Sequence, residues 1–84
     1  MSLPTEPVTL SAEQIRELNQ KLADLRHDLN NRVSVMVAST ELLRRRPDTA
    51  ERMLASLAEQ PAKILELITQ FSHDLEAALH ITRP

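Results

Sequence analysis

An unbroken helical repeat runs through residues 11–46, SAEQIRELNQKLADLRHDLNNRVSVMVASTELLRRR. Its apolar positions recur at steps of three or four residues, which is the spacing of one face of an α-helix. The stripe consists of Ile15, Leu18, Leu22, Leu25, Leu29, Val33, Met36, Thr40 and Leu43. Ser11 and Gln14 stand where the two partners of a capping box belong, so they mark the start. We therefore predict a first helix over about residues 12–46, which Pro47 ends.

A second stripe follows a short turn at residues 47–48. Asp48 is the expected N-cap of the second helix, because Glu51 follows it at the capping-box position. The stripe consists of Leu54, Leu57, Pro61, Ile64, Ile68, Phe71, Leu75 and Ala78. We predict a helix over about residues 49–80, bent near Pro61, because the apolar spacing passes through this proline without a change of phase. The alternative is that the second helix stops near Gln60 and a third begins at Pro61.

Two long helices joined by so short a turn predict an antiparallel hairpin over residues 11–82. Residues 1–10, which contain two prolines, are expected to form a flexible or extended N-terminal arm. A lone hairpin encloses no core, and further apolar residues widen both stripes, so a second copy is needed to cover them. The predicted fold class is all-α: a long antiparallel helical hairpin that dimerises into a four-helix bundle as a symmetric homodimer.

The composition of the 84 residues excludes several function classes. The chain has no glycine, so the loops that cradle nucleotide phosphates are absent, and it has no cysteine, so thiolate metal sites are absent. One aromatic residue and a net charge of -2 argue against nucleic-acid binding. No stretch is apolar enough to cross a bilayer and no signal peptide is visible. We expect a cytoplasmic chain whose segment here makes no membrane contact.

The polar face of the first helix carries His27. At about 100° per residue, His27 lies nearly opposite the centre of the apolar stripe, so its ring should face solvent. The residues that share this outer face are Gln20, Asp24, Asn31 and Ser34. An exposed histidine on a helix is most simply a surface residue without a specific function. The residues around it in the sequence indicate whether it has one.

The heptapeptide at residues 25–31, LRHDLNN, resembles the phosphoacceptor motif of sensor histidine kinases. In the dimerization and histidine phosphotransfer domain of that family, the histidine is followed by an acid and, four residues on, by Asn or Thr. The resemblance implies a helical hairpin that dimerises into a four-helix bundle, with the phosphorylated histidine facing outward on the first helix. It covers roughly residues 22–79.

The resemblance implies a role for each matching residue. His27 would accept the phosphoryl group, Asp28 would orient or deprotonate its ring, and Asn31 would position a water that dephosphorylates a partner. Helix geometry makes Asp24, one turn before His27, an alternative orienting acid, and Asn30 has a lesser supporting role. Arg32 departs from the family, since many members carry a proline there that bends the helix.

The resemblance also implies partners. The chain has no glycine-rich segment of the kind that the family's ATP-binding domain needs, so the resemblance implies either a stand-alone phosphotransfer or docking module or a part of a longer histidine kinase. ATP and magnesium would act only through a separate ATP-binding domain or a response-regulator receiver domain, whose aspartate exchanges phosphate with His27. No cofactor or metal site is expected in this chain. The alternative function is a non-catalytic helical-bundle scaffold that docks a receiver domain.

The other two histidines have a simpler interpretation. His73 and His80 map to the outer face of the second helix, seven residues apart, where a solvated surface is the plain explanation. Histidine ligands for a metal on one helix usually lie three or four residues apart. His73 and Asp74 repeat the start of the His27 motif but lack the asparagines that follow it.

Overall fold

The computed structural model describes residues 2–81, which form two helices, α1 (Ala12–Arg45) and α2 (Ala50–Leu79), joined by a single 3-10 turn at Pro47–Thr49. Met1, at the start of the predicted arm, and Thr82, at the end of the predicted hairpin, lie outside the described residues. The helices pack side by side in a molecule 58 Å long and 12 Å thick. The predicted all-helical hairpin is therefore confirmed.

The start of α1 has the predicted capping box. The Ser11 hydroxyl accepts a hydrogen bond from the Gln14 amide at 3.1 Å, and the Gln14 side chain accepts one from the Ser11 amide at 2.8 Å. Both bonds satisfy backbone donors that a helix N-terminus otherwise leaves unpaired.

The start of α2 differs from the prediction. Asp48 does not cap this helix: the N-cap residue is Thr49, which makes no side-chain capping bond. Pro47 begins the 3-10 turn, so α2 starts two residues after Asp48. The Asp48 carboxylate instead accepts from the Arg46 guanidinium at 3.1 Å, and the Thr49 hydroxyl donates to the Arg46 carbonyl at 2.7 Å. Both side chains close the turn.

The second helix continues through Pro61 to Leu79. The alternative in which it stops near Gln60 is wrong. At the other end, His80 adopts the left-handed conformation, φ 56°, and its amide donates to the Glu76 carbonyl. Glycine usually fills such a C-terminal position, but the chain has none, and histidine is one of the residues that tolerate it.

The hairpin has two unlike broad sides. One side, which we call the apolar side, carries large hydrophobic residues that stay exposed: Ile15, Leu22, Val33, Val37, Leu54, Leu65 and Ile68. Val37 and Leu65 each expose 63% of their surface, and among residues 2–81 no apolar residue is fully buried. The opposite side carries polar and charged residues from both helices. A single hairpin therefore leaves several large hydrophobic residues facing water, which is unfavourable.

Two further features complete the fold. Residues 4–9 of the N-terminal segment line a shared groove with His80, so the segment reaches the C-terminal end of α2. Within residues 2–81, neither helix has the length and apolar character needed to span a membrane.

Candidate functional site

His27 lies near the middle of α1 with its ring exposed. A helix of 34 residues holds this side chain on a regular backbone, well away from either frayed end. Its neighbours on the outer face, Gln20, Asp24, Asn31 and Ser34, are exposed as well. The imidazole is therefore open to a large partner such as another protein domain.

Asn31 is the side chain that contacts the imidazole. Its amide nitrogen, Nδ2, lies 3.5 Å from Nε2 of His27, one helical turn away. An amide nitrogen can only donate, so this contact is a hydrogen bond only for the ring tautomer in which Nε2 is free to accept. The contact is long for a hydrogen bond, and a phosphoryl donor approaching Nε2 has only an exposed amide to displace.

The two candidate acids, Asp24 one turn before His27 and Asp28 directly after it, do not contact the ring. Asp24 accepts a hydrogen bond from the Gln20 amide at 2.9 Å, and Asp28 is half-buried. Among residues 2–81, the hydrogen-bond partner of His27 is Asn31, and neither carboxylate bonds to the ring in this state. Both acids line a groove of about 170 Å³ on the polar side of the hairpin. Asn30 is exposed and lies outside this groove.

The second helix supplies the other wall of this groove. The Asp74 carboxylate oxygen Oδ1 lies 3.7 Å from the Lys21 ammonium of α1. The same oxygen accepts a hydrogen bond from the Gln70 side-chain amide at 3.2 Å. Leu25 and Phe71 form the apolar floor between the helices. The groove is thus lined by three carboxylates, one ammonium and one carboxamide, and His27 lies outside it, next in sequence to Asp28.

Sequence reasoning missed Lys21 and Gln70 as neighbours of the site, although a signal for them existed. In a hairpin whose turn is centred between residues 47 and 48, facing positions have numbers that total about 95. The pairs Lys21–Asp74 and Ser39–Ser56 both follow that rule. The predicted turn alone would therefore have placed Asp74 opposite Lys21 and Gln70 opposite Leu25.

The other two histidines lie outside this arrangement. His73 is exposed on α2, whereas His80 is exposed at the C-cap after Leu79 and so does not lie on the helix face as predicted; Asp74, which follows His73, contacts Lys21 and Gln70. Within residues 2–81, no group of three or more His, Cys, Asp or Glu side chains is placed to hold a metal ion.

No protein-family model, curated protein or solved structure matches this chain. The functional argument therefore rests on the residues and their geometry. These provide an exposed imidazole on a stiff helix, an amide donor on one ring nitrogen, and two carboxylates within one turn. Such a set suits a nucleophile that must receive a group from a second macromolecule.

Proposed function

We propose that the chain is a histidine phosphotransfer and dimerization module of two-component signalling, in which His27 accepts a phosphoryl group and exchanges it with an aspartate of a receiver domain. The observation that carries the proposal is the exposed His27 ring on the polar side of a hairpin whose opposite side is apolar. One side is then free for a signalling partner while the other holds two copies together.

The phosphoryl transfer step requires only a few side chains of this protein. A ring nitrogen attacks the phosphorus in line, a P–N bond forms, and the P–O bond to the donor breaks with its electrons staying on the donor oxygen. In the ring tautomer that carries its proton on Nδ1, Nε2 has the lone pair that attacks, and the Asn31 amide at 3.5 Å would move aside as the donor approaches. Asp28 and Asp24 would stabilise the positive ring as the bond forms, since both carboxylates lie within one turn.

Asn31 has a second proposed role, because it is exposed and one turn beyond the nucleophile. When a phosphorylated receiver docks on this face, the Asn31 side chain would orient a water for hydrolysis of the receiver's aspartyl phosphate. Asn30, exposed beside it, would support the docking surface.

Dimerisation follows from the exposed apolar side. Eight large hydrophobic residues of α1 and α2 face water in the single hairpin; seven of them, four on α1 and three on α2, form the apolar side, and Leu42 is the eighth. Apposing the apolar sides of two copies about a twofold axis gives a four-helix bundle with one continuous core. His27 then stays on the outside of the bundle, once on each flank.

The phosphoryl source is a separate protein or domain. The chain has no glycine, so it offers no loop of the type that binds ATP phosphates in this family of kinases. ATP and magnesium would act in a separate kinase domain, and the receiver domain would supply its own magnesium.

The direct test is phosphate exchange with phosphorylated receiver domains. The protein is incubated with a panel of receivers carrying radiolabelled aspartyl phosphate, and label on the 9.5 kDa chain is followed. We expect label that is stable in base and labile in acid, as phosphohistidine is. The His27→Gln variant should lose it while keeping its helix content and dimer.

The matched control is His73→Gln, which removes another exposed histidine followed by an aspartate. We expect this variant to label as the parent does. Label that survives His27→Gln and disappears in His73→Gln would move the site to α2. Receivers that bind the chain without transferring phosphate would support the scaffold function instead.

A further inference from the structure

The interior of the hairpin is polar over part of its length. Gln60 exposes only 1% of its surface and Ser39 only 6%, and both lie between α1 and α2. Arg32 on α1 and Ser56 on α2 are half-buried beside them. We call these four residues, Arg32, Ser39, Ser56 and Gln60, the polar seam.

Hydrogen bonds connect the polar seam across the two helices. The Arg32 guanidinium donates to the Gln60 side-chain oxygen at 3.5 Å, and the Ser39 hydroxyl donates to the Ser56 hydroxyl at 3.4 Å. The Gln60 side-chain amide nitrogen, Nε2, also donates to the Ser56 backbone carbonyl at 2.8 Å. In the described part of the chain, every buried side-chain nitrogen and oxygen has a partner. The seam is therefore fully satisfied in this alignment of the helices.

The apolar stripes alone do not define that alignment. Both repeat every three or four residues, so sliding α2 by one turn, about 5.4 Å, brings similar side chains face to face again. A slide in either direction moves Ser56 away from Ser39 and onto aliphatic side chains of α1, and a slide toward the C-terminal end of α1 also separates Gln60 from Arg32. An unpaired buried polar group is unfavourable, so the slipped alignments are disfavoured by the seam and not by the stripes.

The position of the seam within α2 strengthens this reasoning. Pro61 follows Gln60 directly and has no amide proton, so α2 lacks one backbone hydrogen bond at this level. The backbone hydrogen bond is therefore missing from α2 at the level where the seam contacts α1. A slip or local bend of α2 would therefore begin here if the seam were removed.

We propose that the polar seam holds α2 in the register against α1 that the short turn at Pro47–Thr49 sets, at a cost in stability, as a buried polar layer does in coiled coils. The register decides which α2 residues, Gln70 and Asp74 among them, stand in the groove beside His27. This inference does not depend on phosphate transfer, and it gives the seam a function that a hydrophobic core of the same volume would lack.

Phe71 makes the register measurable, because it is the only aromatic residue of the chain and lines the groove together with Leu25. Nuclear Overhauser contacts from its ring to leucine methyl groups report the alignment directly. Samples that mix isotope-labelled and unlabelled chains separate contacts within one chain from those between copies. We expect the parent protein to show one set of contacts, centred on Leu25.

The decisive variant replaces the bridging pair with apolar residues of similar size, Arg32→Met with Gln60→Leu. We expect additional ring contacts one turn away, to Leu22 or Leu29, with doubled signals, while the midpoint of thermal unfolding is unchanged or higher. Gln60→Glu, which keeps an acceptor for Arg32, should retain the single set.

The matched control is Arg16→Met with Gln20→Leu, the same two substitutions at exposed positions of α1. We expect it to keep the parent contacts. A seam variant that also keeps only the Leu25 contacts would overturn the proposal. Loss of cooperative unfolding in that variant would overturn it too, since the seam would then be needed for stability rather than for register.

Discussion

Leu65→Ala tests whether a second copy covers the apolar side. Leu65 exposes 63% of its surface in the single hairpin, and full burial of a leucine is worth about 1.5–3 kcal/mol. Covering the exposed part therefore contributes about 1–2 kcal/mol per copy, or about 2–4 kcal/mol for both copies of a symmetric dimer. Since about 1.4 kcal/mol is tenfold in affinity, the dimer Kd should rise on the order of 30- to 700-fold. Alanine favours helix, so the hairpin itself should persist.

The assay is sedimentation equilibrium over a concentration series, with circular dichroism to confirm helix content. Leu42→Ala is the matched control: Leu42 exposes 37% of its surface but lies eleven residues, three helical turns, after Asn31 and so shares its outward side. We expect this variant to leave the dimer unchanged. Equal Kd values for the two variants, or a parent protein that stays monomeric at every concentration, would refute the reasoning.

Four further substitutions probe the account. Asn31→Ala should change unfolding free energy by less than about 0.5 kcal/mol, because the side chain is exposed, while slowing dephosphorylation of a bound receiver; a clear fall in Tm would contradict its surface position. Leu29→Asp places a charge in the half-buried stripe, so it should lower the free energy of unfolding by about 3 kcal/mol and dissociate the proposed dimer. A chemical denaturation curve like that of the parent protein would count against the four-helix bundle. Ser11→Ala removes a helix cap and should cost about 1 kcal/mol, whereas Ser34→Ala, at an exposed position inside α1, should not destabilise the protein. Pro61→Ala restores a backbone donor inside α2 and should raise stability by up to about 3 kcal/mol; an unchanged Tm would mean that the proline costs nothing there.

The regular parts of the fold could be predicted from sequence because each depends on residues close together in the chain. The three- and four-residue steps define both helices, and the Ser11–Gln14 pair defines where α1 begins. The same periodicity gives the exposed position of His27, since it is a property of one helix alone.

What sequence reasoning missed depends on contacts between the helices or on competition at the turn. Asp48 has the right spacing for a cap, but Arg46 and the 3-10 turn hold it elsewhere. Gln60 and Arg32 read as ordinary polar residues until the hairpin brings them together across 28 positions of sequence. A helical repeat assigns polar residues to solvent and gives no sign that a polar group is satisfied inside.

The most direct test of phosphate transfer to His27 is the site and stoichiometry of phosphate on the intact protein. The protein is phosphorylated by a kinase domain with ATP and magnesium or by a phosphorylated receiver, and fragmented under alkaline conditions for mass spectrometry. The account predicts phosphate on the imidazole of His27, at up to one group per chain, with Asp24, Asp28 and Asn31 unmodified. Phosphate on His73 or His80, or an unmodified chain with every donor that binds it, would contradict the account.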